Sequence, residues 1–298
     1  MDIKKLAEIS ENIVFDEEMK RHTTFRIGGA ADAFADVGSA EEIAALIMAC
    51  RSGDIPYIIV GNGSNLLVSD KGIRGLVIHI GRNMSGCVVE GEEIFAEAGI
   101  LMSALASKAA AAELTGFEEL SGIPGTLGGG IFMNAGAYGG EMKNVLEEVT
   151  FLNADGGIET KSADELELGY RTSVFQTKPY VILSCRLKLK KGSADEIRAK
   201  TDEYKKRRTE KQPLSLPSAG STFKRPEGYF AGKLIEDSGL KGYSVGGAAV
   251  SELHSGFVVN RGGATAKDVS ELIEYVQKTV KEKFGVNLEA EVRFVGEK

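Results

Sequence analysis

The chain reads as α+β. Helices and antiparallel hairpins are mixed along it instead of alternating strictly as strand, helix, strand. Three observations point that way. Cys87–Glu90 and Ile94–Glu97 flank Gly91, and Val149–Asn153 and Ile158–Thr160 flank Asp155-Gly156-Gly157; both read as hairpins. Several other segments carry helical spacing with stop signals. And the residues after the first glycine-rich stretch, Leu66 to Gly72, are too short to open the helix that a Rossmann unit needs.

The elements follow in order. Residues 40–52 have helical spacing and stop at Gly53; strand-like runs follow at 57–60 and 76–80. Residues 101–115 are Ala-rich and helical, closed by Gly116. Residues 180–190 alternate as a long strand. Residues 194–211 mix acids and bases, from Asp195 to Arg208, and read as a solvated helix joining two domains, with an anion-binding helix as the less favoured reading. Pro213 and Pro217 then mark a boundary near 205–215. Residues 229–238 and 266–284 are predicted helices, and 254–260 and 288–295 predicted strands.

Bulk composition narrows the function. The 298 residues allow two or three domains. A net charge of −7 gives no general attraction for nucleic acid or an anionic membrane. No apolar run approaches transmembrane length and no signal core is seen, so a cytoplasmic protein is expected. Cys50, Cys87 and Cys185 are scattered and read as reduced thiols. His22, His79 and His254 are scattered too, and no metal site is expected.

Two glycine-rich stretches are the strongest functional signal. The first is Gly61-Asn62-Gly63-Ser64-Asn65-Leu66. The second runs through Gly122-Ile123-Pro124-Gly125-Thr126, Gly128 and Gly129 to Asn134-Ala135-Gly136. Glycine lets backbone N–H groups approach a phosphate closely. No P-loop pattern is present. Two such stretches suggest a long ligand with a diphosphate, gripped from two sides. Tight turns in a strand-rich protein are the alternative, and for the first stretch the two readings stand level.

Three further segments hold polar groups. Gly169-Tyr170-Arg171-Thr172-Ser173-Val174-Phe175 offers, at Arg171, a guanidinium for a carboxylate or oxyanion, or a surface arginine with a packed stem. Pro217-Ser218-Ala219-Gly220-Ser221-Thr222-Phe223-Lys224-Arg225-Pro226 offers a proton donor in Ser221 and two cations in Lys224 and Arg225, or a proline-bounded loop satisfying its own backbone. In 288–295, alternation puts Glu289, Glu291 and Arg293 on one face, which is either a site face or a solvated one.

In order along the chain, these segments resemble the UDP-N-acetylenolpyruvoylglucosamine reductases. His22 to Ala30 looks like the family's N-terminal signature, and the glycine stretches look like its flavin loops. Tyr170-Arg171, Gly220-Ser221-x-Phe223-Lys224 and Glu291-Val292-Arg293 match its catalytic segments. The resemblance covers about residues 20–296. It implies an FAD-binding region of the PCMH/vanillyl-alcohol-oxidase type in two subdomains, with a C-terminal α+β substrate domain. The expected bounds are 1–75 and 76–208 for FAD, with 290–298 returning to the first, and 209–289 for substrate.

It also implies non-covalent FAD, NADPH as hydride source and an enolpyruvyl UDP-sugar as substrate. Hydride would go to C3 and a proton to C2. Ser221 would be the donor, with Arg171 and Glu291 stabilising the enol form. Tyr170, Lys224, Arg225 and Arg293 would serve the substrate. The length and the lack of an insertion carrying a capping tyrosine suggest the type II branch. A monomer is consistent with the sequence. An FAD-linked oxidase is the alternative enzyme, but it would need a base where Ser221 offers a proton.

Overall fold

The computed structural model describes residues 2–297. It is α+β, with six α-helices among the described residues: α1 (Ala40–Ser52), α2 (Met102–Ala111), α3 (Leu127–Phe132), α4 (Ala194–Lys211), α5 (Ala231–Asp237) and α6 (Ala266–Phe284). The chain divides into two compact units. Unit 1 holds residues up to Val14, Phe34–Asn62 and Leu76–Arg208. Unit 2 holds Phe15–Ala33, Gly63–Gly75 and the chain from Thr209 onward.

Unit 1 is built on a five-stranded antiparallel sheet, ordered Ile158–Ser162, Leu146–Leu152, Val181–Lys188, Glu93–Glu97, Cys87–Glu90. Both predicted hairpins lie in it, with Val89 opposite Ile94 and Thr150 opposite Thr160. Leu183, Cys185 and Leu187 alternate inward along the third strand. Each buried side chain of leucine size contributes about 1.5–3 kcal/mol. In α1, the Ser39 hydroxyl accepts from Glu42 N at 3.2 Å, and the helix ends at Gly53 as expected. Tyr57–Val60 pairs in parallel with Leu76–His79 and delivers the chain to Gly61.

α2 is shorter than the alanine pattern predicts. It ends at Ala111, and Glu113 turns through φ 56° so that Leu114-Thr115 can pair with Lys190-Lys191. A non-local ladder overrides local propensity there. Cys50 and Cys185 are buried, and burial pushes the Cys50 thiol up to about 11.

In unit 2, α6 packs Val269, Leu272, Ile273, Val276 and Val280 into a core with Phe25, Ile27, Leu67, Phe223 and Leu288. Thr265 and Asp268 cap it reciprocally, and Gly285 ends it at φ 70°. The Asp70 carboxylate also accepts from Ala266 N (2.7 Å) and Lys267 N (3.0 Å). A three-stranded antiparallel sheet runs Ser244–Val245, Ala248–Val250, Val258–Asn260.

The strand predicted over 288–295 is regular only at Arg293–Val295. The segment changes partner midway. Ala290 bridges Phe223 antiparallel, whereas Arg293–Val295 pairs with Leu66–Val68 in parallel. Leu288 and Val292 point into the core as expected, but Phe294 is exposed. Among the described residues, no helix is long and apolar enough to cross a membrane.

Candidate active site and cofactor cradle

The second glycine stretch is partly a helix, which its composition conceals. Each glycine in a helix costs about 1 kcal/mol relative to alanine. α3 forms because Thr126, buried, caps Gly129 N, and because its glycines permit close packing. A Cβ on Gly128 would lie 3.0 Å from Ala98 Cβ, and one on Gly130 would lie 3.1 Å from Met102 Sδ. Gly125 enters with φ 129°. Gly129 differs: it is exposed, and only Thr126 Oγ1, at 3.6 Å, lies near its Cβ position. Gly61 closes onto the same threonine, with its Cβ position 2.3 Å from Thr126 Oγ1. The end of the first stretch that lies in unit 1 thus meets the second stretch directly. This backbone surface fits a flavin, because no side chain stands between its N–H groups and an approaching ring or phosphate.

Asn134 does not offer its side chain to a ligand. It is fully buried, and its amide donates to Glu141 Oε2 (3.0 Å) and Gly169 O (2.9 Å) while accepting from Lys143 N (2.9 Å). It ties the second glycine stretch to the turn that carries Arg171. That turn is closed by Gly169 N donating to Thr172 O and Thr172 N to Gly169 O. Arg171 sits at φ 56°, a left-handed conformation that few non-glycine residues adopt. Its Nη2 donates to Gly136 O at 3.1 Å, and its guanidinium lies 5.0 Å from the Tyr170 ring centre. Lys143 beside Glu141 holds that carboxyl below the usual range, with Asn134 and Arg171 adding to the effect.

Two braces were not assigned from sequence. Gln176 Nε2 donates to Phe132 O and to Arg171 O, and Ser173 Oγ donates to Phe132 O. Ser173 lies within the segment singled out by sequence, but nothing in that segment signals a partner at the end of α3.

Unit 2 assembles the other expected residues. Gly63 has φ 60°, and a Cβ there would lie 2.0 Å from His22 O. Asn65 Nδ2 donates to Glu291 O (3.1 Å), and Arg293 N donates to Asn65 O (2.9 Å). The Ser221–Lys224 segment lies alongside the same residues: Glu291 N donates to Thr222 O (2.8 Å), and Lys224 N to Glu289 O (2.9 Å). Phe223 and Ala290 form an isolated antiparallel bridge there, with Ser221 next in sequence to Thr222, the residue bonded to Glu291. Ser221 is exposed, and among the described residues no group hydrogen-bonds its hydroxyl. Thr222 is buried, and its hydroxyl accepts from Val258 N at 2.8 Å. Lys224 pairs with Glu289, and the Arg225 guanidinium lies over Phe230 at 4.0 Å.

Residues 31–162 match a family model described as an FAD binding domain, and residues 212–295 match one described as UDP-N-acetylenolpyruvoylglucosamine reductase, C-terminal domain. With the glycine cradle, these define an FAD-dependent oxidoreductase. The UDP-N-acetylenolpyruvoylglucosamine reductase of Caldanaerobacter subterraneus subsp. tengcongensis is 55% identical over 99% of this chain and 98% of its own. That of Alkaliphilus oremlandii is 55% identical over 96% and 94%. The crystal structure of the Thermus caldophilus enzyme superposes with a TM-score of 0.81 at 38% identity, over 95% of this chain and 97% of its own. The chain belongs to the UDP-N-acetylenolpyruvoylglucosamine reductases. A variant of Phl p 4, a glucose oxidase, shares the fold at TM-score 0.50 and 12% identity, over 65% of this chain and 45% of its own.

Proposed function

We propose that the chain reduces UDP-N-acetylglucosamine enolpyruvate to UDP-N-acetylmuramate, using NADPH, in the cytosolic synthesis of peptidoglycan precursor. Residues 1–75 and 76–208 serve FAD, and 209–289 the substrate. Gly61, Asn62, Gly63, Ser64, Asn65 and Leu66 serve the cofactor, together with Gly122, Ile123, Pro124, Gly125, Thr126, Gly128, Gly129, Asn134, Ala135 and Gly136. FAD, when bound, supplies the hydride that goes to C3 of the enolpyruvyl group.

The chain's own residues handle charge and the proton. Arg171 stabilises the negative charge that develops on the pyruvyl group. Ser221 gives its proton to C2. A hydroxyl is a weak acid in water, but an enolate is a strong enough base to take its proton when the two are held together. Glu291 stabilises the enol form from the neighbouring strand, and Lys224, Arg225, Arg293 and Tyr170 meet the substrate.

The observation that carries this reading is the contrast between adjacent hydroxyls. Thr222 is buried and spent on Val258 N, whereas Ser221, one residue before it, is exposed. The test is anaerobic. NADPH should bleach the flavin, and UDP-N-acetylglucosamine enolpyruvate should restore its colour. Reduced enzyme that the enolpyruvyl sugar leaves bleached would refute the assignment.

A further inference from the structure

α4 was expected to be solvated all round, and most of it is. One stripe is not. Ile197, Thr201, Tyr204 and Arg208 recur at helical spacing and are all withdrawn from full exposure. Tyr204 donates to Glu119 Oε1 at 3.2 Å and stacks on Tyr138 at 4.8 Å between ring centres. Arg208 ends the stripe within unit 1, half-buried against the second glycine stretch. A Cβ on Gly122 would lie 3.2 Å from Arg208 Cδ and 3.3 Å from its Nη1.

Among the described residues, no carboxylate pairs with Arg208 and no acceptor takes its N–H groups. Its neighbour Arg207 pairs with Glu203 instead. Burial pulls the Arg208 guanidinium below its ordinary value, a shift that the nearby Tyr138 phenol partly opposes. A guanidinium carries five donors and stays charged, so leaving it half-buried and unmatched is costly. Gly122 leaves the space that a longer side chain would fill. The cost is offset if an anion arrives.

We infer that Arg208 neutralises an anionic part of bound FAD at the Gly122 end of the cradle. Two parts of FAD carry such charge: the diphosphate in both redox states, and the N1–C2=O edge of the ring when reduced. The inference rests on the reading that Gly122–Thr126 face the cofactor.

The test uses Arg208→Gln, Arg208→Lys and Arg207→Gln in the full chain, with Gly125→Val as a control for the loop. FAD is titrated into apoprotein, the midpoint potential of the holoenzyme is measured, and apoprotein melting is followed. If the diphosphate is the partner, Arg208→Gln weakens oxidised FAD binding by roughly 10- to 100-fold. If the reduced ring is the partner, oxidised binding holds and the potential falls, about 30 mV for each tenfold loss in affinity for the reduced form. Arg208→Lys keeps the charge and retains part of either effect, and Arg207→Gln changes neither.

Apoprotein melting separates ligand binding from a structural role. Removing an unmatched charge leaves the Arg208→Gln apoprotein at least as stable as wild type, while the gain on adding FAD shrinks. The inference is overturned if both FAD affinity and potential are unchanged in Arg208→Gln, including the case where only the KM for NADPH rises. If Gly125→Val weakens FAD while Arg208→Gln does not, the loop reading stands and the arginine assignment alone fails. If neither variant weakens FAD or moves the potential, both fail.

Discussion

The two units spend their polar side chains differently. In unit 1 the groups around the flavin stretch are bound to one another. Asn134 makes three hydrogen bonds within the protein, and Ser173 and Gln176 brace the carbonyl at the end of α3. In unit 2 backbone pairs, Glu291 N to Thr222 O and Lys224 N to Glu289 O, share the bracing with Asn65 Nδ2 to Glu291 O and Val258 N to the Thr222 hydroxyl, and the Ser221 hydroxyl is left on offer. A cradle that must hold a planar cofactor gains from rigidity. The proton donor that we propose in Ser221 needs its hydroxyl uncommitted until the substrate arrives. Stability and chemistry should therefore separate by unit when single side chains are removed.

The largest effect should come from Ser221→Ala. We predict that flavin reoxidation by the enolpyruvyl substrate slows by roughly 10²–10⁴, about 3–5 kcal/mol of barrier. Bleaching by NADPH and the melting temperature should hardly move. Equal slowing of both half-reactions would mean a disturbed cofactor site and would break the contrast. Ser221→Cys, which keeps a transferable proton, should retain more activity than alanine.

Asn134→Ala should show the opposite pattern. It leaves Gly169 O, Lys143 N and part of Glu141 without a partner in a buried site, a loss of about 3 kcal/mol in stability by denaturant titration. Turnover should fall as well, because the Arg171 turn loses its anchor. A variant as stable as wild type would remove Asn134 as a brace.

Thr126→Val keeps the shape and removes the cap of α3. It should cost about 1 kcal/mol and lower FAD occupancy at limiting cofactor. Unchanged melting would indicate that glycine packing alone holds α3.

The smallest effect concerns acid. Lys143, Asn134 and Arg171 hold the Glu141 carboxyl below its ordinary value. A depressed carboxyl stabilises the fold above its unfolded pKa, and that contribution is lost as pH falls through the folded value. Glu141→Gln should therefore be less stable than wild type at pH 7, with the gap closing below about pH 4. A gap that does not narrow at all as pH falls below the ordinary carboxyl range would assign the effect to lost hydrogen bonds instead of charge.

Several features were legible in the sequence because their causes are local. Gly53 ends α1 as expected, α6 spans the predicted 266–284, and Gly91 and Asp155-Gly156-Gly157 announced both hairpins. The order of the flavin and catalytic segments gave the family, which the relatives at 55% identity show. The burial of Arg208 was also readable in principle, since 197, 201, 204 and 208 form one helical stripe. The charge density of α4 masked it.

What only the tertiary structure decided depends on partners distant in sequence. α3 exists because Ala98 and Met102 leave room for glycine alone, although glycine disfavours helix. Residues 288–295 break as a strand because they answer first to Phe223 and then to Leu66–Val68. Asn134 reads as a cofactor residue in the sequence, and its side chain becomes a brace only once Gly169 and Glu141 fold against it, leaving its backbone for that role. Caps and turns are set by neighbours a few residues away, so composition and spacing record them. Hydrogen-bond partners and packing contacts across tens or hundreds of residues leave no such local trace, and whether a polar group is spent or left free is settled only when the chain closes on itself.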